Sequence, residues 1–137
     1  MPEIIALAGP LRTGKSLTLE ILYDELLKKD FSILIDRKIP DSKDFTAIFQ
    51  KNNTKVGVAS GYHGLAIKKQ IDALINKGCN IMVCTCFLKG KNREVLETYQ
   101  GFDRVVISKT VAKYKGNRIR ANLSDARNIL AEIEKKL

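Results

Sequence analysis

Apolar positions along the chain fall into two alternating kinds of run. Glu3–Ala8 (EIIALA), Phe31–Ile35 (FSILI) and Asn80–Phe87 (NIMVCTCF) are short and nearly continuous, which predicts buried strands. Between them, Leu17, Ile21, Leu22 and Leu26 recur at helical spacing from Gly14 to about residue 29, interleaved with Glu20, Asp24 and Glu25. A second helix is predicted over 65–77, with Leu65, Ile67, Ile71, Leu74 and Ile75 on one face and Gly78 as its stop. Phe45–Gln50 and Lys55–Ser60 flank Asn52-Asn53, the pattern of a β-hairpin over 45–60. A short helix over 91–100 and a strand over 104–108 follow. Asn122-x-x-Asp125 then reads as the cap of a last helix carrying Ile129, Leu130 and Ile133.

The resulting order, β-α-β-(β-β)-α-β-α-β-α, predicts a mostly parallel sheet covered on both faces. Ligands of such sheets bind beyond the carboxyl ends of the strands. With 137 residues, 45% hydrophobic and 28% charged, the chain suits one domain spanning 1–137. No apolar run approaches the roughly 18 residues that would span a bilayer, so no membrane association is expected. The start of the chain lacks the charged and apolar regions of a signal peptide. Three cysteines make no disulfide framework, and together these features point to a reducing, cytoplasmic setting.

Charge adds a partner class. Lys and Arg number 24 against 15 acids, a net +9, and residues 104–120 contain no acid at all. Such a surface attracts phosphate-bearing partners, nucleotides or nucleic acid, or else serves as a solvated face.

Gly9-Pro-Leu-Arg-Thr-Gly-Lys-Ser16 matches G-x-x-x-x-G-K-[ST] in full, between the first strand and the first helix. The glycines let successive backbone N–H groups face a phosphate, and the helix presents its positive end to the same anion. Lys15 would reach the β- and γ-phosphates, and the Ser16 hydroxyl would ligate Mg²⁺. On these residues the chain resembles the P-loop NTPase superfamily. The resemblance implies a three-layer α/β/α fold and binding of ATP or GTP with Mg²⁺. It also implies a nucleotide site built from Gly9, Arg12, Thr13, Gly14, Lys15, Ser16 and Leu17.

The superfamily also supplies a second acid at the end of an apolar strand. Asp36 is one candidate metal ligand, beside the phosphate loop if its strand neighbours the first; a turn-capping role is the alternative. The other region, Lys55–Gly64, resembles the switch region of small GTPases, but Ser60 and Gly61 stand where the acid would be. His63 could orient a nucleophilic water or sense the γ-phosphate, or be a plain loop residue. No Asn-Lys-x-Asp follows a late strand, so ATP is expected before GTP. Arg93 could neutralise charge in the transition state. Lys113–Arg120 reads as a basic loop: a short lid, a nucleic-acid contact with Tyr114 stacking, or a solvated segment. The cysteines, without C-x-x-C spacing, read as buried small hydrophobes rather than zinc ligands.

The expected function is therefore phosphoryl transfer from ATP·Mg²⁺, by hydrolysis or to a small phosphorylated acceptor such as a nucleotide, with Lys15, His63 and Arg93 as catalytic candidates. The alternative is a nucleic-acid-associated module whose nucleotide site is regulatory or degenerate, engaging nucleic acid through residues 104–120.

Overall fold

A computed structural model of the chain describes residues 2–10, 12–40, 42, 44–61, 66–87 and 90–137, with the backbone alone at 91, 92 and 115. The elements are β1 (Glu3–Ala8), α1 (Lys15–Lys28), β2 (Ser32–Lys38), β3 (Phe45–Lys51), β4 (Thr54–Ala59), α2 (Ala66–Asn76), β5 (Ile81–Cys86), α3 (Lys91–Glu97), β6 (Asp103–Ser108) and α4 (Lys115–Glu134). They build one six-stranded sheet in the order β2-β3-β4-β5-β1-β6.

β1 is buried at every position because it lies between two parallel partners, β5 and β6. Its side chains alternate between two cores. Ile5 and Leu7 pack with Leu19, Leu22 and Leu26 of α1 and Ala126, Ile129, Leu130 and Ile133 of α4. Ile4, Ala6 and Ala8 pack with Ile67, Ile71 and Leu74 of α2 and Val95 and Leu96 of α3. Each fully buried Leu or Ile contributes about 1.5–3 kcal/mol, so both faces of the sheet are firmly covered.

β4 runs parallel to β5, whereas β3 pairs antiparallel with β4 and β2 antiparallel with β3. The predicted hairpin over 45–60 is present, turning at Asn52, whose φ is 56°. Because β3 reverses direction, its first residues sit beside the last residues of β4, as in the pair Thr46 and Ala59. The start of β3 therefore reaches the same sheet edge as the carboxyl ends of β1, β4, β5 and β6.

Two expectations change here. The strand carrying Asp36 does not neighbour β1: it is an edge strand, with β3, β4 and β5 in between. The last helix begins at Lys115, so Asn122 is not its cap but lies two turns inside, and residues 115–120 are helical rather than a loop. The helix grows outward from a buried face formed by Ala121, Asn122, Asp125, Ala126 and Ile129, whose spacing is continuous. No helix among the described residues is long and apolar enough to cross a membrane.

Candidate functional site

The Gly9–Ser16 segment leaves β1 at the centre of the carboxyl edge and turns into α1. Gly14 is the residue before the helix, with φ +91°, a conformation that disfavours an L side chain. No side chain caps the helix and its first turn holds no acid, so its leading N–H groups remain available to an anion. Thr13 Oγ1 donates to the Pro10 carbonyl (2.8 Å), and Thr18 Oγ1 to the Gly14 carbonyl (2.8 Å). Leu11 lies outside the described residues.

Lys15 is buried and folds back over its own loop. Its ammonium donates to the carbonyls of Gly9 and Pro10 and stands 4.5 Å above the Phe87 ring. Burial pulls its pKa below the ordinary lysine value, opposed by the neighbouring Cys86 thiol. Carbonyl and ring contacts thus hold a charge that no described carboxylate neutralises.

Ser16 points the other way. Its hydroxyl donates to Asp44 Oδ1 at 2.7 Å. The same carboxylate accepts from Ser42 Oγ (3.0 Å) and Ser60 Oγ (3.3 Å). Ser60, fully buried, also accepts the Phe45 N–H (3.1 Å) and so ties β4 to the start of β3. Gly61, with φ +85°, lies so close that a Cβ there would collide with Asp44. The sequence reading missed Asp44. Asp44 precedes β3, the antiparallel neighbour of β4, and the Ser60 hydroxyl helps hold its carboxylate beside Ser16.

These residues surround a cavity of about 370 Å³, within the range of small-molecule sites. The loop side is Arg12, Thr13, Gly14, Lys15, Ser16 and Leu17; the opposite side is Asp44, Gly61 and Thr85, with Arg118 and Asn122 reaching in from α4. Neither Arg12 nor Arg118 pairs with a carboxylate among the described residues.

The remaining candidates lie elsewhere. Asp36 accepts a hydrogen bond from Tyr23 OH (2.7 Å) on the β2 edge and does not line the cavity, so it is not brought to Ser16. Arg93 stands near the Cys86 thiol, where its charge opposes the upward push of burial, leaves its Nη1 buried without a partner among the described residues, and does not line the cavity either. His63 lies outside the described residues. Cys79, Cys84 and Cys86 are buried and free; burial pushes the Cys79 thiol up to about 11 and the other two upward. Among the described residues no cluster of three His, Cys, Asp or Glu could hold a metal by itself.

Beside the cavity, the end of β6 is pinned. Lys109 N–H donates to the Ala8 carbonyl (2.7 Å), and its buried ammonium pairs with Asp125 at 2.9 Å. Asp125 also accepts from Thr110 N–H (2.8 Å) and Thr110 Oγ1 (2.7 Å).

No family model matches the chain, and no curated protein and no solved structure is significantly similar to it.

Proposed function

We propose that the chain is a P-loop nucleotide-binding protein of three-layer α/β/α architecture. Its ligand is a nucleoside triphosphate, ATP in preference to GTP, taken with Mg²⁺, and its chemistry is transfer of the terminal phosphoryl to water or to a small phosphorylated acceptor.

The observation that carries this reading is the pairing of an uncapped helix N-terminus and a carboxylate-free Lys15 on one side of the cavity with the Ser16–Asp44 contact on the other. The first arrangement suits an anion. The second suits a hard cation, since a hydroxyl and a carboxylate offer oxygen donors and phosphate oxygens supply others. Mg²⁺, when bound, neutralises charge on the phosphate chain. Ser16 and Asp44 would hold it, Asp44 directly or through water. Lys15 exchanges its carbonyl contacts for phosphate oxygens, and Arg12 and Arg118 add charge at the rim. The Thr85 hydroxyl, on the same wall as Asp44, can hold a water or acceptor oxygen.

The test is a titration of ATP and GTP with Mg²⁺ against the protein and Lys15→Ala, following binding and nucleoside diphosphate release together. Lys15-dependent ATP turnover is expected. Binding without release would move the protein to a regulatory or degenerate site, and binding of neither nucleotide would end the proposal.

The nucleic-acid reading keeps one favourable observation: Tyr114 is 71% exposed, beside exposed Lys113, Arg118 and Arg120. It requires affinity for short DNA or RNA that falls steeply with salt; no binding at low salt would remove it.

A further inference from the structure

Asn122 is only 5% exposed, yet its side-chain amide makes no hydrogen bond with any described residue. Among the described residues the side-chain atoms both sealed from solvent and unpartnered are Glu3 Oε2 and Arg93 Nη1, so the Asn122 amide instead opens into the cavity, where a ligand or water can meet its donors and acceptor. Its neighbour one turn along, Asp125, is fully engaged by Thr110 and Lys109, so this helix face does not lack polar contacts in general. The amide lies against the phosphate loop: a Cβ at Gly14 would stand 2.6 Å from its Oδ1 and 3.1 Å from its Nδ2. It faces the cavity beside the Gly9–Ser16 loop and also a groove of about 50 Å³ running towards Thr110, Val111 and Ala112. Asn122 therefore stands where a ligand longer than its phosphate chain leaves the cavity.

A carboxamide offers two donors and an acceptor without charge. Charged oxygens are already served by Lys15, Arg12, Arg118 and the leading amides of α1. What an uncharged donor–acceptor group complements is an uncharged donor–acceptor edge.

Resting on the nucleotide-binding reading above, we propose that Asn122 hydrogen-bonds the nucleoside portion of the ligand and makes the site select nucleotides over inorganic polyphosphate. It is a specificity residue placed on α4, outside the phosphate loop.

Calorimetric titration of the full chain with the Mg²⁺ salts of ATP, GTP and inorganic tripolyphosphate tests this. The proteins compared are wild type, Asn122→Leu, Asn122→Ala and Lys15→Ala. Loss of one buried hydrogen bond is expected to weaken nucleotide binding about tenfold in both Asn122 variants, with tripolyphosphate changed by less than about twofold. Loss for ATP and GTP alike identifies the sugar as the group read, and loss for one identifies its base; either supports the proposal. Equal weakening for tripolyphosphate, no weakening at all, or failure of both Asn122 variants to fold would overturn it. Lys15-dependent tripolyphosphate binding with no gain for ATP or GTP would overturn this proposal alone. Absence of any Lys15-dependent binding would overturn the nucleotide reading beneath it.

Discussion

The Ser16 hydroxyl meets the Asp44 carboxylate at 2.7 Å across 28 residues of sequence. The contact joins the first turn of α1 to the residue just before β3, so a charge delivered by the antiparallel part of the sheet faces the Gly9–Ser16 loop. Asp44→Asn preserves shape and removes that charge. Mg²⁺-dependent nucleotide binding is expected to weaken about tenfold or more, while Asp36→Asn leaves it unchanged. Titrations at varied Mg²⁺ concentration separate the two, and an effect of Asp36→Asn as large as that of Asp44→Asn would contradict the assignment.

Gly14 is required twice over, by its φ of +91° and by the Asn122 amide beside it. Gly14→Ala is expected to cost about 1–2 kcal/mol for the left-handed backbone, plus a steric share. In an Asn122→Ala background the steric share disappears and the backbone share stays. Urea unfolding midpoints of the four proteins measure both; strictly additive costs would show that the two residues do not press on one another.

The Lys109–Asp125 pair is almost wholly shielded from water, with side-chain exposures of 0% and 2%. Removing one member leaves the other charged and uncompensated. Lys109→Met is expected to destabilise by about 3 kcal/mol or more, far beyond the surface pair Lys68–Asp72, whose loss costs at most about 0.5 kcal/mol. Chemical denaturation of Lys109→Met and Lys68→Met gives the comparison.

Tyr23 and Asp36 supply a pH signature away from the cavity. The hydrogen bond to the Asp36 carboxylate, aided by burial, pushes the Tyr23 phenol up to about 12. A raised pKa in the folded state means that its stabilisation is complete below the ordinary tyrosine value of 10 and is lost as pH rises through about 12. Asp36→Asn should return the phenol towards its ordinary value, with Tyr23→Phe identifying the transition in a tyrosinate absorbance titration. An unchanged transition in Asp36→Asn would show that the carboxylate is not the cause.

Much of the fold was legible because its signals are local. The six buried residues of β1, the helical recurrence of Leu22 and Leu26, and the Asn52-Asn53 turn each declare themselves within a few positions, although the face of α1 is shifted from the expected one: Leu17 is exposed and Leu19 takes the buried place. The Gly9–Ser16 turn between β1 and α1 belongs with them. Asp44 was not legible, because nothing near it distinguishes it from Asp41 or Asp36; its place depends on β3 running antiparallel to β4. Asp36 misled for the same reason in reverse: a strand ending in Asp looks alike at the centre and at the edge of a sheet. The first turns of α4 were missed because 116–120 are exposed and basic and carry no apolar face, whereas the helix is anchored from Ala121 onward. The Asn122-x-x-Asp125 spacing then imitated a cap.

Among the described residues the cavity is lined by Arg12, Lys15 and Arg118 against the single carboxylate of Asp44. Folding gathers like charges there that the described residues do not cancel, so on the proposed reading a polyvalent anion seated among them would complete the native state as a structural part would. At a hundredfold excess over its dissociation constant such an anion adds about 2.7 kcal/mol to the unfolding free energy. A shift of that size changes how much of a marginally stable protein survives degradation. The cellular supply of the anion would then set not only how often the site is filled but how many copies of the protein persist.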